Sequence, residues 1–369
     1  MIEQSIKLMK HDKKAKMVFL KLKMAVSVTC IAFCSATLAQ EQIAVGVSMP
    51  EFSNMRWVND GLSIMRELNK VNLASDLQYA SSGADMQIAQ IEGMIKKGAK
   101  VLVVAAVDGK KLTAVLKKAG DKKIKVISYD RLIRDSANVD YYATFDNFDV
   151  GVKQGADIVK RLELAAGKGP FRIELFAGSQ DDNNAFFFYD GAMSVLKPYI
   201  DKKQLIIESG QEGMDNVSTK GWNGAVAKAR LVGLLSKHYS KQRLDAVLSP
   251  NDGIAAELIT AFTKVGYGQP GNPMPVITGQ DADIPSTRAV LRGQQSSTIF
   301  KDTRELARVT AQMAEALMQG KAPTVNDNKT YNNGVKVIPS FLLKPVLVDA
   351  ANIKQVLVGS GFYRAEQIQ

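Results

Sequence analysis

Apolar and polar positions along this chain form two successive series of strand-like and helix-like segments. The first series opens with a short apolar stretch at 43–49 and an amphipathic segment at 54–69, whose apolar positions recur at helical spacing. Residues 101–107 are apolar throughout, as is typical of a strand that is covered on both faces of a parallel sheet. The second series ends in a long amphipathic segment at 303–318. The pattern predicts an α/β fold of two doubly wound parallel-sheet lobes.

The predicted elements are short and are joined by loops of a few residues. We predict strands at 43–49, 77–80, 101–107, 125–128, 141–145, 172–178, 205–208, 246–248, 275–278, 296–300 and 335–343. We predict helices at 54–69, 84–97, 110–119, 150–164, 185–196, 223–235, 254–265, 289–292 and 303–318. The stretches rich in glycine and proline at 167–170 and 266–275 indicate short loops and not domain linkers.

The first 39 residues have the composition of an export leader. A lysine-rich region precedes a short apolar run at 24–36, and Thr37, Leu38 and Ala39 supply small residues where a signal peptidase cleaves. We therefore predict a signal peptide at 1–39 and a mature chain that begins at Gln40. A transmembrane anchor is the weaker alternative, because the apolar run is well short of the roughly 20 residues that span a bilayer.

Charge and cysteine content exclude several classes of function once the leader is set aside. The net charge of +11 includes a leader with seven lysines and two acids, and the remainder holds 41 basic and 35 acidic residues. A mild, interspersed excess favours a solvated surface over a nucleic-acid interface. Both cysteines, Cys30 and Cys34, lie in the leader, and His238 is the one histidine after it. Disulfides, thiolate metal sites and histidine-based triads are therefore not expected.

Standard cofactor motifs are also missing. The first strand–helix junction, residues 46–53, lacks the glycine pattern of a dinucleotide site, and the sequence has neither a P-loop nor a nucleophile elbow. No calcium loop of the regular aspartate-rich spacing is present. We therefore predict no cofactor, no metal and no catalytic residue.

Four predicted strands instead end in clusters of Asp, Asn, Gln and Arg, at 128–131, 178–184, 249–252 and 279–283. The carboxyl ends of parallel strands open into the ligand crevice. Carboxylates, amides and a guanidinium together suit a neutral ligand that is rich in hydroxyl groups. Each cluster alone has a simpler explanation as a helix N-cap, and the adjacent Asp181 and Asp182 leave a metal or acid–base pair as a minor alternative.

Two tryptophans follow the leader, and both fall at predicted junctions on the crevice side. Trp57 lies at the start of the first helix, and Trp222 lies at the start of a helix in the second series. Indole faces pack against the C–H patches of sugars. A core anchor is the alternative for each one singly, and their shared placement favours ligand stacking.

At these residues the chain resembles the periplasmic monosaccharide-binding proteins of the type I fold, the ribose, galactose and xylose group. Within it, the chain is similar to the multiple-sugar-binding receptors that serve virulence sensing in plant-associated bacteria. The motifs that carry the resemblance are Arg56-Trp57, 90–95, 129–131, 179–184, 279–283 and 332–335. The resemblance implies a ligand-binding set of Arg56, Trp57, Asp130, Arg131, Asp182, Asn184, Trp222, Asn251, Asp281 and Lys301.

The resemblance also implies an architecture and a role. Residues 40–146 and 302–333 would form the first lobe, and residues 147–301 and 334–369 would form the second, with hinge crossings near Asp146, Lys301 and Asn333. The expected function is the periplasmic substrate-binding component of an ABC sugar importer, a monomer that closes around an aldopyranose such as glucose, galactose, arabinose or xylose. The expected partners are a membrane permease and a sensor kinase, with no nucleic acid.

Two other classes of function remain as alternatives. A secreted glycoside hydrolase of similar fold would turn over a chromogenic glycoside through paired carboxylates. A sugar-responsive regulator with the same two-lobe core would need a DNA-binding motif where this chain carries an export leader.

Overall fold

The computed structural model describes residues 42–81 and 83–369. The predicted signal peptide at 1–39, with its cleavage after Ala39, lies outside these residues. Twelve strands are present in the described part: Val45–Met49 (β1), Ser75–Tyr79 (β2), Val101–Val104 (β3), Lys125–Tyr129 (β4), Tyr141–Phe145 (β5), Phe171–Leu175 (β6), Leu205–Ile206 (β7), Ala246–Leu248 (β8), Val276–Ile277 (β9), Thr298–Phe300 (β10), Ser340–Leu343 (β11) and Val346–Val348 (β12).

Ten α-helices connect these strands in the described residues. They are Met55–Lys70 (α1), Ala84–Lys96 (α2), Thr113–Asp121 (α3), Asn147–Arg161 (α4), Asn183–Asp201 (α5), Met214–Val217 (α6), Gly224–His238 (α7), Asp252–Lys264 (α8), Ile284–Leu291 (α9) and Thr303–Met318 (α10). Short 3-10 turns lie at Leu164–Ala166, Lys220–Trp222 and Ala365–Gln367, and a π-helical turn lies at Lys354–Val358.

The first lobe is built on a six-stranded parallel sheet of order β11-β5-β4-β3-β1-β2. Its central strands are apolar because both faces of the sheet are covered. One face packs on α2 and α3 through residues such as Leu102 and Val126, and the other packs on α1 and α10 through residues such as Val103 and Ile127. The doubly wound lobe predicted from the apolar run at 101–107 is therefore confirmed.

The second lobe is built on a four-stranded parallel sheet of order β7-β6-β8-β9, with a separate antiparallel pair of β10 and β12. Backbone hydrogen bonds from Ser296 N to Ile277 O (2.9 Å) and from Ile299 N to Gly279 O (3.1 Å) join the start of β10 to the β9 edge. Helices α7 and α8 cover one face around Val247, and α5 covers the other around Leu175. The second doubly wound lobe is thus also confirmed.

The chain passes between the two sheets three times. The first crossing follows β5 at Asp146, and the second follows β10 at Lys301. The third lies between Leu343 and Val346, because β11 pairs in parallel with β5 and keeps the chain in the first sheet. This corrects the expectation of a crossing at Asn333 and of a second lobe that takes all of 334–369. Lys344, at this crossing, pairs with Asp146 of the first crossing at 3.0 Å.

Two helices of the second lobe, α4 and α5, pack at a close glycine crossing beside these connections. A Cβ on Gly151 would lie 2.0 Å from Phe188 O, and one on Gly191 would lie 2.1 Å from Phe148 O. Only glycine permits this approach. The contact holds the start of α5, which carries Asp182 and Asn184, directly against the start of α4 after the first crossing.

The short helix predicted to include 289–292 is α9, which spans Ile284–Leu291. It has Pro285 in its first turn, where the fixed backbone angle of proline favours a helix start. None of the described helices is long and apolar enough to cross a membrane.

Candidate functional site

Ten residues from separate strand ends and turns line one small cavity between the sheets. The volume of this cavity is about 100 Å³. They are the ten residues of the predicted ligand-binding set: Arg56, Trp57, Asp130, Arg131, Asp182, Asn184, Trp222, Asn251, Asp281 and Lys301. Both lobes contribute, since the first four follow β1 and β4 and the others belong to the second lobe or to the crossing after β10.

In the first lobe, Arg56 is held by two carboxylates. Arg56 Nη1 and Nη2 donate to Asp130 Oδ1 and Oδ2 at 3.2 and 2.5 Å, and Nη2 lies 3.2 Å from Asp60 Oδ2. Tyr129 OH donates to the same Asp60 oxygen at 3.0 Å. Bidentate pairing fixes the guanidinium plane as well as its position.

Burial and pairing act on these carboxyls in opposite directions. Burial alone would raise the pKa of Asp130, but the charges of Arg56 and Lys301 outweigh it and lower the pKa of Asp130. For Asp60, burial dominates over its contact with Arg56 and raises its pKa to about 6. The carboxylate of Asp130 therefore remains charged where it lines the pocket. Asp60, which shares Arg56 with it, ionises less readily.

Cations cover the face of Trp57. The guanidinium carbons of Arg56 and Arg131 lie 4.4 and 5.1 Å from the indole centroid, within the range of cation–π attraction. The side chain of Trp57 is 3% exposed, so the ring is fixed by the core as well as by these contacts. Trp57 is thus anchored in the core and also lines the pocket, and stacking on a ligand stays a prediction.

The second indole depends on a glycine. A Cβ added to Gly178 would lie 2.2 to 2.7 Å from three carbons of the Trp222 ring, so the ring occupies the space that a larger residue would fill. Phe188 meets Trp222 edge to face at 6.3 Å. Trp222 ends a 3-10 turn just before α7 and has a φ of 56°, an uncommon backbone state for a non-glycine residue.

The side chains of Asp182 and Asn184 are already engaged at the start of α5. Asp182 caps the helix by accepting from Asn184 N at 3.0 Å, and it pairs across the lobes with Arg131 Nε at 3.3 Å. Asn184 Nδ2 donates to Asp130 O at 2.8 Å, and its Oδ1 accepts from Tyr142 OH and Asn147 Nδ2, each at 3.0 Å. Asn184 therefore joins the lobes beside the hinge as well as lining the pocket.

Lys301 is the residue whose burial the sequence did not indicate. It is 5% exposed and pairs with Asp281 at 2.9 Å. Its ammonium lies 5.7 Å from the Phe188 ring centroid. Asp281 itself has a φ of 97°, and Asp130 has a φ of 59°. Left-handed backbone at several non-glycine residues of one pocket is typical of ligand-binding sites.

A group of carboxyls lies just behind Asp281. Burial raises the pKa of Asp252 well above its usual range, and burial together with the charge of Asp281 raises the pKa of Asp283 to about 6. Asp252 accepts from Asp283 N (2.9 Å), in the loop that carries Asp281, and from Gln295 Nε2 (2.8 Å) and Thr298 Oγ1 (3.0 Å), which together fix that loop. These acids support the pocket wall from the second lobe.

The charges of the predicted set balance. Three cations (Arg56, Arg131 and Lys301) face three carboxylates (Asp130, Asp182 and Asp281), each within a pair. A pocket with paired charges and two indoles suits a neutral ligand that both donates and accepts hydrogen bonds. In the described residues there is no group of three or more His, Cys, Asp or Glu side chains placed to hold a metal ion.

Several lining residues were not predicted from the sequence: Glu51, Asn54, Phe188, Gly221 and Gln280. Gln280 lies within a predicted polar strand end, so the sequence indicated that it could line the pocket. No feature of the sequence indicated that Phe188 lines the pocket or that Gly178 lies against Trp222. A larger cavity of about 940 Å³ adjoins the pocket and shares Asn54, Arg56, Asp281 and Lys301 with it. Three residues of the predicted set, Arg56, Asp281 and Lys301, line both cavities, and the other seven line the smaller pocket alone.

Comparison with known proteins places the chain among binding proteins. A model of the periplasmic binding protein domain matches residues 45–322. The chain is 53% identical over 350 residues to the multiple sugar-binding periplasmic receptor ChvE of Rhizobium radiobacter. The aligned region covers 95% of this chain and 99% of that protein. It is 57% identical over 333 residues to the multiple sugar-binding periplasmic protein SbpA of Azospirillum brasilense, covering 90% and 93%.

A solved structure is similar in three dimensions as well. An ABC transporter solute-binding protein from Clostridium phytofermentans, crystallised with β-D-glucose, superposes with a TM-score of 0.83 at 44% identity. The match covers 88% of this chain and 100% of that one.

Proposed function

The chain belongs to the periplasmic binding protein family, and from this premise we propose that it is the substrate-binding component of an ABC sugar importer. It works in the periplasm and holds one monosaccharide between its two lobes. The single observation that carries the proposal is the convergence of charge-balanced polar side chains from both lobes, with two indoles, on one pocket.

Each member of the set has a role that follows from its chemistry. Asp130, Asp182 and Asp281 accept hydrogen bonds from sugar hydroxyls, and Arg56, Arg131 and Lys301 donate to hydroxyl and ring oxygens. Asn184 and Asn251 donate through their amide nitrogens. Trp57 and Trp222 provide apolar faces for the C–H groups of the sugar ring. The ligand class is an aldopyranose such as glucose, galactose, arabinose or xylose.

The arrangement of the carboxylates favours binding over hydrolysis. General acid catalysis needs a carboxyl whose proton is poised for transfer to the substrate. Asp130 is held ionised by Arg56, and Asp281 pairs with Lys301. Burial raises the pKa of Asp182, but its oxygens are engaged by Asn184 N and Arg131 Nε. We expect the mature protein to bind sugars without turning over a chromogenic glycoside, and measurable turnover would support a hydrolase instead.

The proposal extends to processing and partners. The leader is removed after Ala39, and the mature protein is a monomer. Closure of the lobes on the sugar creates the surface that the membrane permease recognises. A second proposed partner, the periplasmic domain of a sensor kinase, is the one that the family resemblance of the sequence implies.

Intrinsic fluorescence tests the proposal directly, because both tryptophans line the pocket. We expect titration of the mature protein with glucose, galactose, arabinose and xylose to change the emission in a saturable way for at least one sugar. Calorimetry on the same samples detects a complex that leaves the fluorescence unchanged. The proposal fails if neither method detects binding of any pentose or hexose.

A further inference from the structure

One buried side-chain acceptor in the pocket wall has neither a hydrogen-bond donor nor a cation beside it among the described residues. Gln280, which follows β9, is 2% exposed and lines the pocket. Its amide nitrogen donates to Pro250 O at 3.3 Å. No donor in the described part of the chain reaches its Oε1, although that atom is buried. The amide cannot turn round to relieve this, because the Pro250 carbonyl only accepts and so requires the nitrogen on its side.

The other acceptors around the pocket are already engaged. Glu51 accepts from Ser53 Oγ at 2.7 Å, and Asn54 accepts from Arg56 N at 2.9 Å. Asn251 Oδ1 caps α8 by accepting from Ile254 N at 3.0 Å. The carboxylates are paired with cations, and Asn184 Oδ1 receives two donors, as described above. Among the described pocket side chains, the buried acceptor with neither a donor nor a cation is therefore Gln280 Oε1.

A buried acceptor without a donor is unfavourable, and it becomes favourable when a ligand hydroxyl supplies the missing hydrogen bond. A site built to bond a hydroxyl also rejects the analogue that lacks it, because the acceptor is then left unpaired. Carboxylates are less selective in this respect, since their remaining pairing with a cation compensates for a missing hydroxyl.

From these observations we propose that Gln280 is a specificity-determining residue, whose Oε1 accepts a hydrogen bond from one particular hydroxyl of the bound monosaccharide. This inference rests on the proposed sugar-binding function and adds to it a residue outside the predicted set. It assigns the selection of one ring position to the second lobe, next to Asp281 and beside the loop that carries Asn251.

The test pairs a protein change with a ligand change. Binding of D-glucose and of its five monodeoxy analogues is measured by calorimetry for the wild type and for Gln280→Leu, which keeps the volume and removes the amide. We expect the wild type to lose about tenfold to a hundredfold in affinity for the analogue that lacks the bonded hydroxyl. In the variant, the loss for that one analogue falls below about threefold, while the losses for the other four stay unchanged.

Gln154→Leu is the matched control. Gln154 is also a buried amide, and it supports the same loops by donating to Gly279 O at 3.0 Å and to Ser249 O at 3.3 Å. It does not line the sugar pocket. A loop disturbance weakens all six ligands alike, so this control should keep the analogue profile of the wild type, including the selective loss for the analogue that lacks the bonded hydroxyl. Gln280→Met, which also removes the amide, provides a second variant if Gln280→Leu does not fold, and it should lose the selectivity in the same way.

The outcomes separate this inference from the proposed function. If the wild type binds D-glucose but Gln280→Leu and Gln154→Leu have the same analogue profile as the wild type, the role of Gln280 is wrong and the sugar-binding function stands. If D-glucose does not bind, the tightest sugar of the fluorescence panel and its deoxy analogues replace it. If no sugar binds at all, both proposals fall.

Discussion

The two lobes contribute to the pocket in different ways. In the first lobe, Arg56, Asp130 and Asp60 hold one another as a buried ion cluster beneath Trp57. In the second lobe, Asp182 and Asn251 are positioned as the N-caps of their own helices. The first half of the site is therefore cooperative, and removal of one member disturbs the others. These two caps of the second half are set by local backbone structure, so they are more independent of one another.

The largest effect is expected in the ion cluster. Asp130→Ala leaves the buried Arg56 with Asp60 as its remaining carboxylate, and breaking a buried pair in this way costs about 3–5 kcal/mol. We expect sugar affinity to fall more than about a hundredfold, and denaturant unfolding to show a loss of about 3 kcal/mol. Asp121→Ala, which removes a surface pair with Lys117, is the control and should change neither quantity. Similar behaviour of the two variants would contradict the cluster.

The raised pKa of Asp60 predicts a stability difference that depends on pH. The folded state holds a proton up to about pH 6, whereas the unfolded chain releases it near its usual pKa of about 4. Stability from this group is therefore present below the unfolded pKa and falls as the pH rises to about 6, by about 3 kcal/mol in total.

Asp60→Asn removes this titration. We expect the unfolding free energy of the wild type, minus that of the variant, to fall between pH 4 and pH 7 in urea titrations. Parallel curves for the two proteins would mean that Asp60 does not carry the raised pKa.

A smaller effect is expected from Gly178→Ala in the second lobe. The added methyl would lie 2.2 Å from the Trp222 ring and must displace the indole from the pocket wall. Loss of one stacking face should weaken sugar binding about tenfold, with the change seen in fluorescence titration. Gly233→Ala on α7, where a Cβ meets nothing within 4 Å, is the matched control. Unchanged affinity in Gly178→Ala would show that Trp222 does not contact the ligand.

The smallest effect separates capping from binding at Asn251. Asn251→Ser keeps a side-chain oxygen that can cap α8 but removes the amide nitrogen that we propose donates to the ligand. We expect stability within about 0.5 kcal/mol of the wild type, because serine is also a good N-cap. Sugar affinity should fall about fivefold. If stability falls while affinity does not, Asn251 is a structural cap alone.

Local patterns predicted the fold and the polar strand ends of the candidate site, whereas Arg56 and Lys301 were implied by the family resemblance alone. Apolar runs such as 101–107 identify buried strands, and polar clusters at strand ends converge because parallel strands share an edge. Lys301 shows the limit of this reasoning. Its burial depends on Asp281, 20 positions earlier in the sequence, and on the Phe188 ring. The position of the third crossing depends likewise on the pairing of β11 with β5, and no local signal indicates it.

Gln280 and Gly178 were missed for a related reason. The role proposed for Gln280 follows from the missing hydrogen-bond donor at its Oε1. That gap is visible only when the positions of all neighbouring donors are known. The requirement for glycine at 178 follows from the Trp222 ring, which belongs to a turn more than 40 residues later. Spacing in the sequence does not contain either relation.

The most direct test of the central claim is calorimetric titration of the mature protein with D-glucose, compared with Trp57→Leu and Trp222→Leu. One indole belongs to each lobe, so a shared site predicts one sugar per chain and a large loss of affinity in both variants. Two sugars per chain, or full affinity in either variant, would contradict a single site formed by both lobes.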